Sequence, residues 1–326
     1  YYNAFKVEDN IEIKKTPKAL KSNLIRIYEE MINKDAKDVL KRLENTSAIY
    51  SQHINYDSND ECSSKLKKAL RNLENVNGAD AYMLLLFLSK KFNISEDEKI
   101  KTIDLLCKYF LRRNVTDIPN TQNLTNYFMD IIKEFSDEES FSFDRLKELL
   151  ITLGKPASDE YFNEKLQGDL YEENVVATRF ILSMIESAKT ETDEKYIDFY
   201  QRNKKKFIWT IEHIFPQGQK IPSHWVEMIG NGDKELANNI RKECVHKLGN
   251  LTLTGYNSSL GNMSFFDKKN RKKDGKHIGY LNGLYLNNTL KDKDEWTQED
   301  INSRTDKLAK LALELFHFNS VPKTTK

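Results

Sequence analysis

Trp209-Thr210-Ile211-Glu212-His213-Ile214-Phe215-Pro216-Gln217 places a carboxylate beside an imidazole at the end of an apolar run. The run reads as a buried strand that the proline stops. A second stretch, His246 to Asn257, adds amides and another short strand, Leu251-Thr252-Leu253-Thr254. Phosphodiester hydrolysis needs a group to deprotonate water and positive charge where the leaving oxygen develops its own. His213 suits the first task, since an unperturbed imidazole has a pKa near ~6.5 and is substantially neutral at physiological pH. Glu212 suits the second by holding a divalent cation, and Asn257 could add an amide oxygen. Hard oxygen donors completed by water and phosphate favour Mg2+ or Mn2+ over zinc.

Asn250 opens the second strand, and its amide can bridge backbone groups of the connecting loop and so hold the imidazole in place. From Asn257 the chain would lead into a helix across the two strands, with Lys268 on its far side able to hold a phosphate. Neighbours in a flat strand point to opposite faces, so Glu212 and His213 need a twist or bulge near Pro216 to face one phosphate. Asn250 and Asn257 are also ordinary turn formers, and Asn262 could cap the following helix. His246, three residues before Gly249, is read as a partner of the loop, with contact to DNA or metal as the other reading. His224, His277 and His317 read as solvated or packed. The basic runs Arg202, Lys204–Lys206 and Lys268, Lys269, Arg271–Lys273, Lys276 bracket the pair. They are either solvated faces or a surface for DNA.

The elements that position these residues are mostly helical. Up to about residue 200 the apolar spacing is that of helices. Leu20, Leu24, Ile25, Tyr28 and Ile32 suggest one face of a helix that Pro17 could start, and Val39, Leu40, Leu43 and Ile49 suggest a second. Asp80–Leu88 is apolar nearly all round and reads as a central helix. Ser95-Glu96-Asp97-Glu98 is a capped start for a helix burying Ile103, Leu105, Leu106, Tyr109 and Phe110. Further helices are expected over Tyr127–Phe135, Phe143–Leu153 and Val175–Ala188. His53 reads as a surface histidine. Arg112 and Arg113 suit a helix C-terminus, with a phosphate or interdomain contact as the alternative. Composition changes at Thr190–Glu194, Phe207, Trp209 and Phe215 read as core, and a helix from Thr297 to Phe316 closes the chain with Ile301, Leu308, Leu311, Leu315 and Phe316 inward.

The 326 residues suffice for about two domains. A net charge of +1 gives no global pull toward nucleic acid, so any basic surface must be local. Cys62, Cys107 and Cys244 form no CxxC pair, which argues against a disulfide framework or a zinc knuckle and fits a reducing, cytoplasmic setting. No run is long enough to cross a bilayer and no signal peptide opens the chain. The start at Tyr1 without methionine suggests a piece of a longer protein.

Glu-His-Ile-x-Pro-Gln (212–217), Gly-Asn-Leu-Thr-Leu (249–253), Asn-Ser-x-Leu-x-Asn (257–262) and Phe-x-x-Lys (265–268) together resemble the His-Asn-His nuclease domain of GmrSD-type modification-dependent restriction endonucleases. Trp225 and the closing Trp296-Thr297-x-x-x-Ile301-x-x-Arg304-x-x-x-Leu308 fit the same pattern. The likeness runs from about Asp159 to Phe316. It implies a mainly α protein: a helical interdomain region over 1–155, then a nuclease domain over 156–326 with a ββα-metal core at about 205–275. It further implies a bacterial, cytoplasmic DNA endonuclease of phage defence whose N-terminal nucleoside-triphosphatase domain precedes this chain. By motif position His213 would be the general base, Asn250 the orienting amide, Glu212 and Asn257 the ligands of Mg2+ or Mn2+. Lys268 would lie near phosphate, with Asn262, Lys269 and Arg271 as further DNA contacts. Glu stands where many relatives have Asp, and Asn where others have a third His; both keep an oxygen ligand. A decayed DNA-binding module, or a docking scaffold for a partner protein, is the alternative.

Overall fold

A computed structural model of the chain describes residues 1–13, 16–60, 62–190 and 197–318. Most of the composition change expected at Thr190–Glu194 therefore lies outside the described residues. The chain forms two compact units, one from residues 1–113 and 117–157 with Phe318, the other from 114–116 and 158–317.

Among the described residues the regular elements of the first unit are helices: α1 (Tyr2–Phe5), α2 (Leu24–Ile54), α3 (Ser64–Asn75), α4 (Tyr82–Phe92), most of α5 (Glu96–Thr116), α6 (Thr121–Ser136) and α7 (Phe143–Thr152). Its starts are written in the sequence. Ser63, Asn120 and Ser142 each accept from a backbone N–H of the first turn, and Ser95 with Glu98 forms a full capping box. The all-apolar segment is α4, where Leu84, Leu85, Leu86, Phe87 and Leu88 are all buried.

The reading of residues 20–49 needs correction. The helix begins at Leu24 behind Asn23, not at Pro17, and Leu20, Leu24, Ile25, Ile32 and Leu40 are exposed. The buried face is Ile27, Met31 and Val39, packed with Tyr2 and Ile13. The two expected helices run end to end through a break at Asp35 (φ −157°, ψ 93°), whose carboxylate caps the second stretch by accepting from Asp38 N at 2.9 Å. His53 is buried instead of surface-exposed, with Nδ1 unpartnered among the described residues and Nε2 3.5 Å from Ser89 Oγ. Arg112 is buried too, and donates to Ala157 O at 2.7 Å, whereas Arg113 reaches Asp117 at the helix end.

The second unit holds α8 (Asp159–Gln167), α9 (Leu170–Glu173), α10 (Val175–Thr190), α11 (Ser223–Gly230), α12 (Lys234–Cys244), α13 (Asn257–Leu260), α14 (Phe265–Asn270) and α15 (Gln298–Leu315). Three antiparallel strand pairs lie among them: β1 (Arg202–Asn203) with β2 (Lys206–Phe207), β3 (Thr210–His213) with β4 (Leu251–Thr254), and β5 (Lys272–Lys273) with β6 (Lys276–His277). The fold is mainly α with a small strand-strand-helix region in the C-terminal half. The β3–β4 connection is more than a loop, since α11 and α12 fill it and bury Trp225, Ile229, Ala237 and Ile240 against Phe215, Phe265, Trp296 and Ile301. Phe215 joins this core, whereas Phe207 and Trp209 are only half-buried; Phe207 lies under the guanidinium groups of Arg179 and Arg202.

Helix α15, opened by a Thr297–Asp300 capping box, packs on the tight turn at Leu248–Asn250. A Cβ on Gly249 would run into the Ile301 carbonyl oxygen and Thr305 Oγ1, so only glycine permits this approach. Arg304, fully buried, donates to the carbonyls of Gly249, Leu251 (2.8 Å) and Leu286 (2.8 Å), fastening the turn and β4 to the helix. No helix among the described residues is long and apolar enough to cross a membrane.

Candidate active site

Strand pairing is regular to the end of β3: Glu212 lies opposite Thr252 and His213 opposite Leu251. No bulge re-aims either side chain, so the two neighbours find different partners, as the pleat requires.

The Glu212 carboxylate is buried and accepts from Lys268 Nζ through Oε1 at 2.6 Å. Lys268, on α14, is 0 % exposed, and its ammonium also donates to His213 O (2.8 Å) and Ile214 O (3.1 Å). An ammonium has three protons, and all three are used inside the protein. The expectation of a phosphate contact at Lys268 is thereby corrected: the side chain ties α14 to the end of β3. Gly279 supports this packing, for a Cβ there would strike the Lys268 carbonyl oxygen. Burial pushes the Glu212 carboxyl up and the Lys268 ammonium down, each opposed by its partner.

His213 takes the opposite direction. Its Nε2 lies 3.3 Å from His246 Nδ1, and His246 Nε2 lies 3.0 Å from Glu172 Oε2. Tyr171 lies nearly parallel to the His246 ring (centroids 5.6 Å apart, 9° between planes) and edge-on to His213 (4.6 Å, 84°). Burial, with His246 and the cationic Lys268 adding to it, lowers the His213 pKa to about 3. The ring is therefore neutral over the physiological range.

Asn250 is wholly buried and every direction of its amide is occupied. Oδ1 accepts from Phe215 N (2.8 Å) and Trp296 Nε1 (3.2 Å), while Nδ2 donates to Phe215 O and Val245 O (both 2.9 Å). Its own carbonyl accepts from Ile214 N at 2.9 Å. It braces the chain just beyond His213 through the backbone, without touching the imidazole. Asn257, at the start of α13, donates from Nδ2 to Ile211 O at 2.8 Å. That bond anchors the amide beside β3 and leaves Oδ1 without a protein partner among the described residues, as is Glu212 Oε2.

The remaining expected contacts divide. Lys269 is 7 % exposed, its ammonium held by Lys293 O and Asp294 Oδ1, so it too is turned inward. Arg271 and Asn262 are exposed. Asn262 does not cap α14, a place taken by Ser264; its carbonyl lies 3.2 Å from His224 Nε2. Both basic runs include small hairpins: Lys204 and Lys205 turn β1 into β2, and Asp274-Gly275, both at positive φ, turn β5 into β6.

Tyr171 and Glu172 carry no spacing signal toward His213, and sequence reasoning missed them. Trp296, by contrast, belongs to a recognised pattern, and its bond to Asn250 gives it a physical reason. Among the described residues no three His, Cys, Asp or Glu side chains cluster as a metal cage. No curated protein matches the chain. Residues 156–311 match the family model for the C-terminal domain of GmrSD restriction endonucleases.

Proposed function

We propose that the second unit is a divalent-cation-dependent DNA endonuclease module in which His213 is the general base. The observation that carries this reading is an imidazole fixed at the end of a braced strand pair, within the segment that matches the restriction-endonuclease family model. His213 would take a proton from water as its oxygen attacks phosphorus. The phosphorus–oxygen bond to the leaving alkoxide would then break, and the alkoxide would be protonated by solvent. A pKa near 3 makes a weak base, and the negative charge of a bound phosphate would raise it toward the working range.

The free oxygens of Glu212 and Asn257 fit Mg2+ or Mn2+, which are held by few protein groups and keep several waters. Because Glu212 and His213 leave β3 in opposite directions, the ion and the base would have to meet the phosphate around the end of the strand, where the ion would polarise it and offset charge on the leaving oxygen. Asn250 serves by fixing the backbone that follows the base. Arg271, Asn262 and the lysines of the two hairpins, all exposed, would meet the DNA backbone. The substrate would be phage DNA, modified bases included, with a nucleoside-triphosphatase domain as partner.

A second reading, a DNA-binding module without cleavage, draws on one observation: Lys268 already neutralises Glu212. Plasmid incubated with the chain and Mg2+ or Mn2+, with and without chelator, separates them. Chelator-sensitive nicking supports the first reading; retention of plasmid without nicking rejects it.

A further inference from the structure

His213, His246 and the Glu172 carboxylate form a row of two successive contacts, and the chemistry of that row fixes where each proton sits. A carboxylate only accepts. His246 Nε2, 3.0 Å from Glu172 Oε2, is therefore the donor of that bond. In the His246 tautomer whose one ring proton sits at Nε2, toward Glu172, Nδ1 is bare and can only accept. His213 Nε2, 3.3 Å away, must supply the proton. A neutral His213 protonated at Nε2 has its lone pair at Nδ1, where it makes no hydrogen bond to the protein among the described residues.

We propose that His246, held by Glu172, is a positioning residue that sets the tautomer of His213 and so selects Nδ1 as its basic nitrogen. Tyr171 completes the device. Its ring lies parallel to His246 and edge-on to His213, packing against both imidazoles, and its backbone N–H donates to His246 O at 3.3 Å. The Glu172 side chain is 70 % exposed, so the row connects the buried imidazole to solvent. The opposite tautomer would carry a proton at Nδ1 and could not accept one from water there. Orientation errors of this kind cost about a hundredfold in rate.

This inference rests on the reading of His213 as the base, but its first test does not. In the full chain labelled with 15N, two-bond proton–nitrogen correlation of the imidazoles reports which ring nitrogen is protonated. The expected spectrum shows His213 protonated at Nε2 and bare at Nδ1, and His246 likewise. A His213 protonated at Nδ1 would overturn the proposal whether or not the chain cuts DNA. Absence of nicking by the unaltered chain would instead overturn the nuclease reading.

His246→Leu removes the acceptor and should leave His213 a mixture of tautomers. Single-turnover nicking should fall on the order of tenfold to a hundredfold with KM for plasmid unchanged. His246→Asn places an amide oxygen near the former Nδ1 and should restore both the single tautomer and part of the rate. Equal loss in both variants, or an unchanged tautomer in His246→Leu, would reduce His246 to packing. Should His246→Leu fail to fold, the Asn variant and the unaltered spectrum decide the matter.

Discussion

Lys268→Met keeps the length and volume of the side chain and removes only its charge and three hydrogen bonds. In the intact protein that ammonium is 0 % exposed and meets Glu212 Oε1, His213 O and Ile214 O. Methionine there strands a buried carboxylate and leaves two carbonyls without their donor. Removing one partner of a buried pair costs about 3–5 kcal/mol. The second unit spans roughly 160 residues, for which 1 kcal/mol moves Tm by about 2–4 °C, so a fall on the order of 10 °C is expected. Glu212→Gln in the same chain removes the stranded charge and should recover part of the loss, a coupling that a double-mutant cycle reads directly. The assay is thermal unfolding of the four chains at neutral pH, alongside DNA binding at several salt concentrations. A lysine that touches phosphate behaves in the opposite way: Tm stays within about 1 °C of the parent on the surface-substitution scale, and the salt slope drops by about 1. That outcome would refute the buried tie.

Other expectations follow from the same contacts. His53, its pKa lowered to about 4 chiefly by burial, is neutral in the fold but binds a proton near pH ~6.5 once unfolded. Its contribution is thus fully present above that pH and lost as pH falls through 4. The first unit should lose about 3 kcal/mol across that window, and His53→Leu should flatten the dependence in urea titrations at pH 8, 6 and 4. Gly249→Ala, whose methyl would meet Ile301 O and Thr305, should destabilise by about 1–3 kcal/mol; an unchanged urea midpoint would mean that α15 does not approach this turn closely. Arg271→Ala combined with Lys272→Ala and Lys273→Ala should lower the salt slope of DNA binding by up to about 3 without altering Tm; an unchanged slope would remove the β5–β6 hairpin from the DNA surface.

The strands around Glu212 and Leu251 were legible because alternating and apolar residues between turn formers leave little other choice. The capping residues before α5 were legible for the same local reason. What escaped depends on contacts between distant segments. A lysine beside other lysines reads as surface, because charged side chains are seldom fully buried without a partner; Glu212, 56 residues earlier, is the partner that reverses this. Tyr171 and Glu172 reach the site only because α9 packs beside His246, a neighbour relation with no period in the sequence. His53 was misread because its flanking residues are polar, although its own position on α2 faces inward. The face of that helix was misjudged because an apolar set at Leu24, Ile25 and Ile32 competes with Ile27, Met31 and Val39, and only the partners Tyr2 and Ile13 choose between them.

His213→Ala most directly probes the chemistry assigned to this chain. With plasmid and Mg2+ or Mn2+, single-turnover nicking should fall by about 10²–10⁴-fold, while DNA retention and Tm stay close to those of the parent. Nicking by His213→Ala at the parent rate would contradict the assignment of the base, and with it the endonuclease mechanism built on that imidazole.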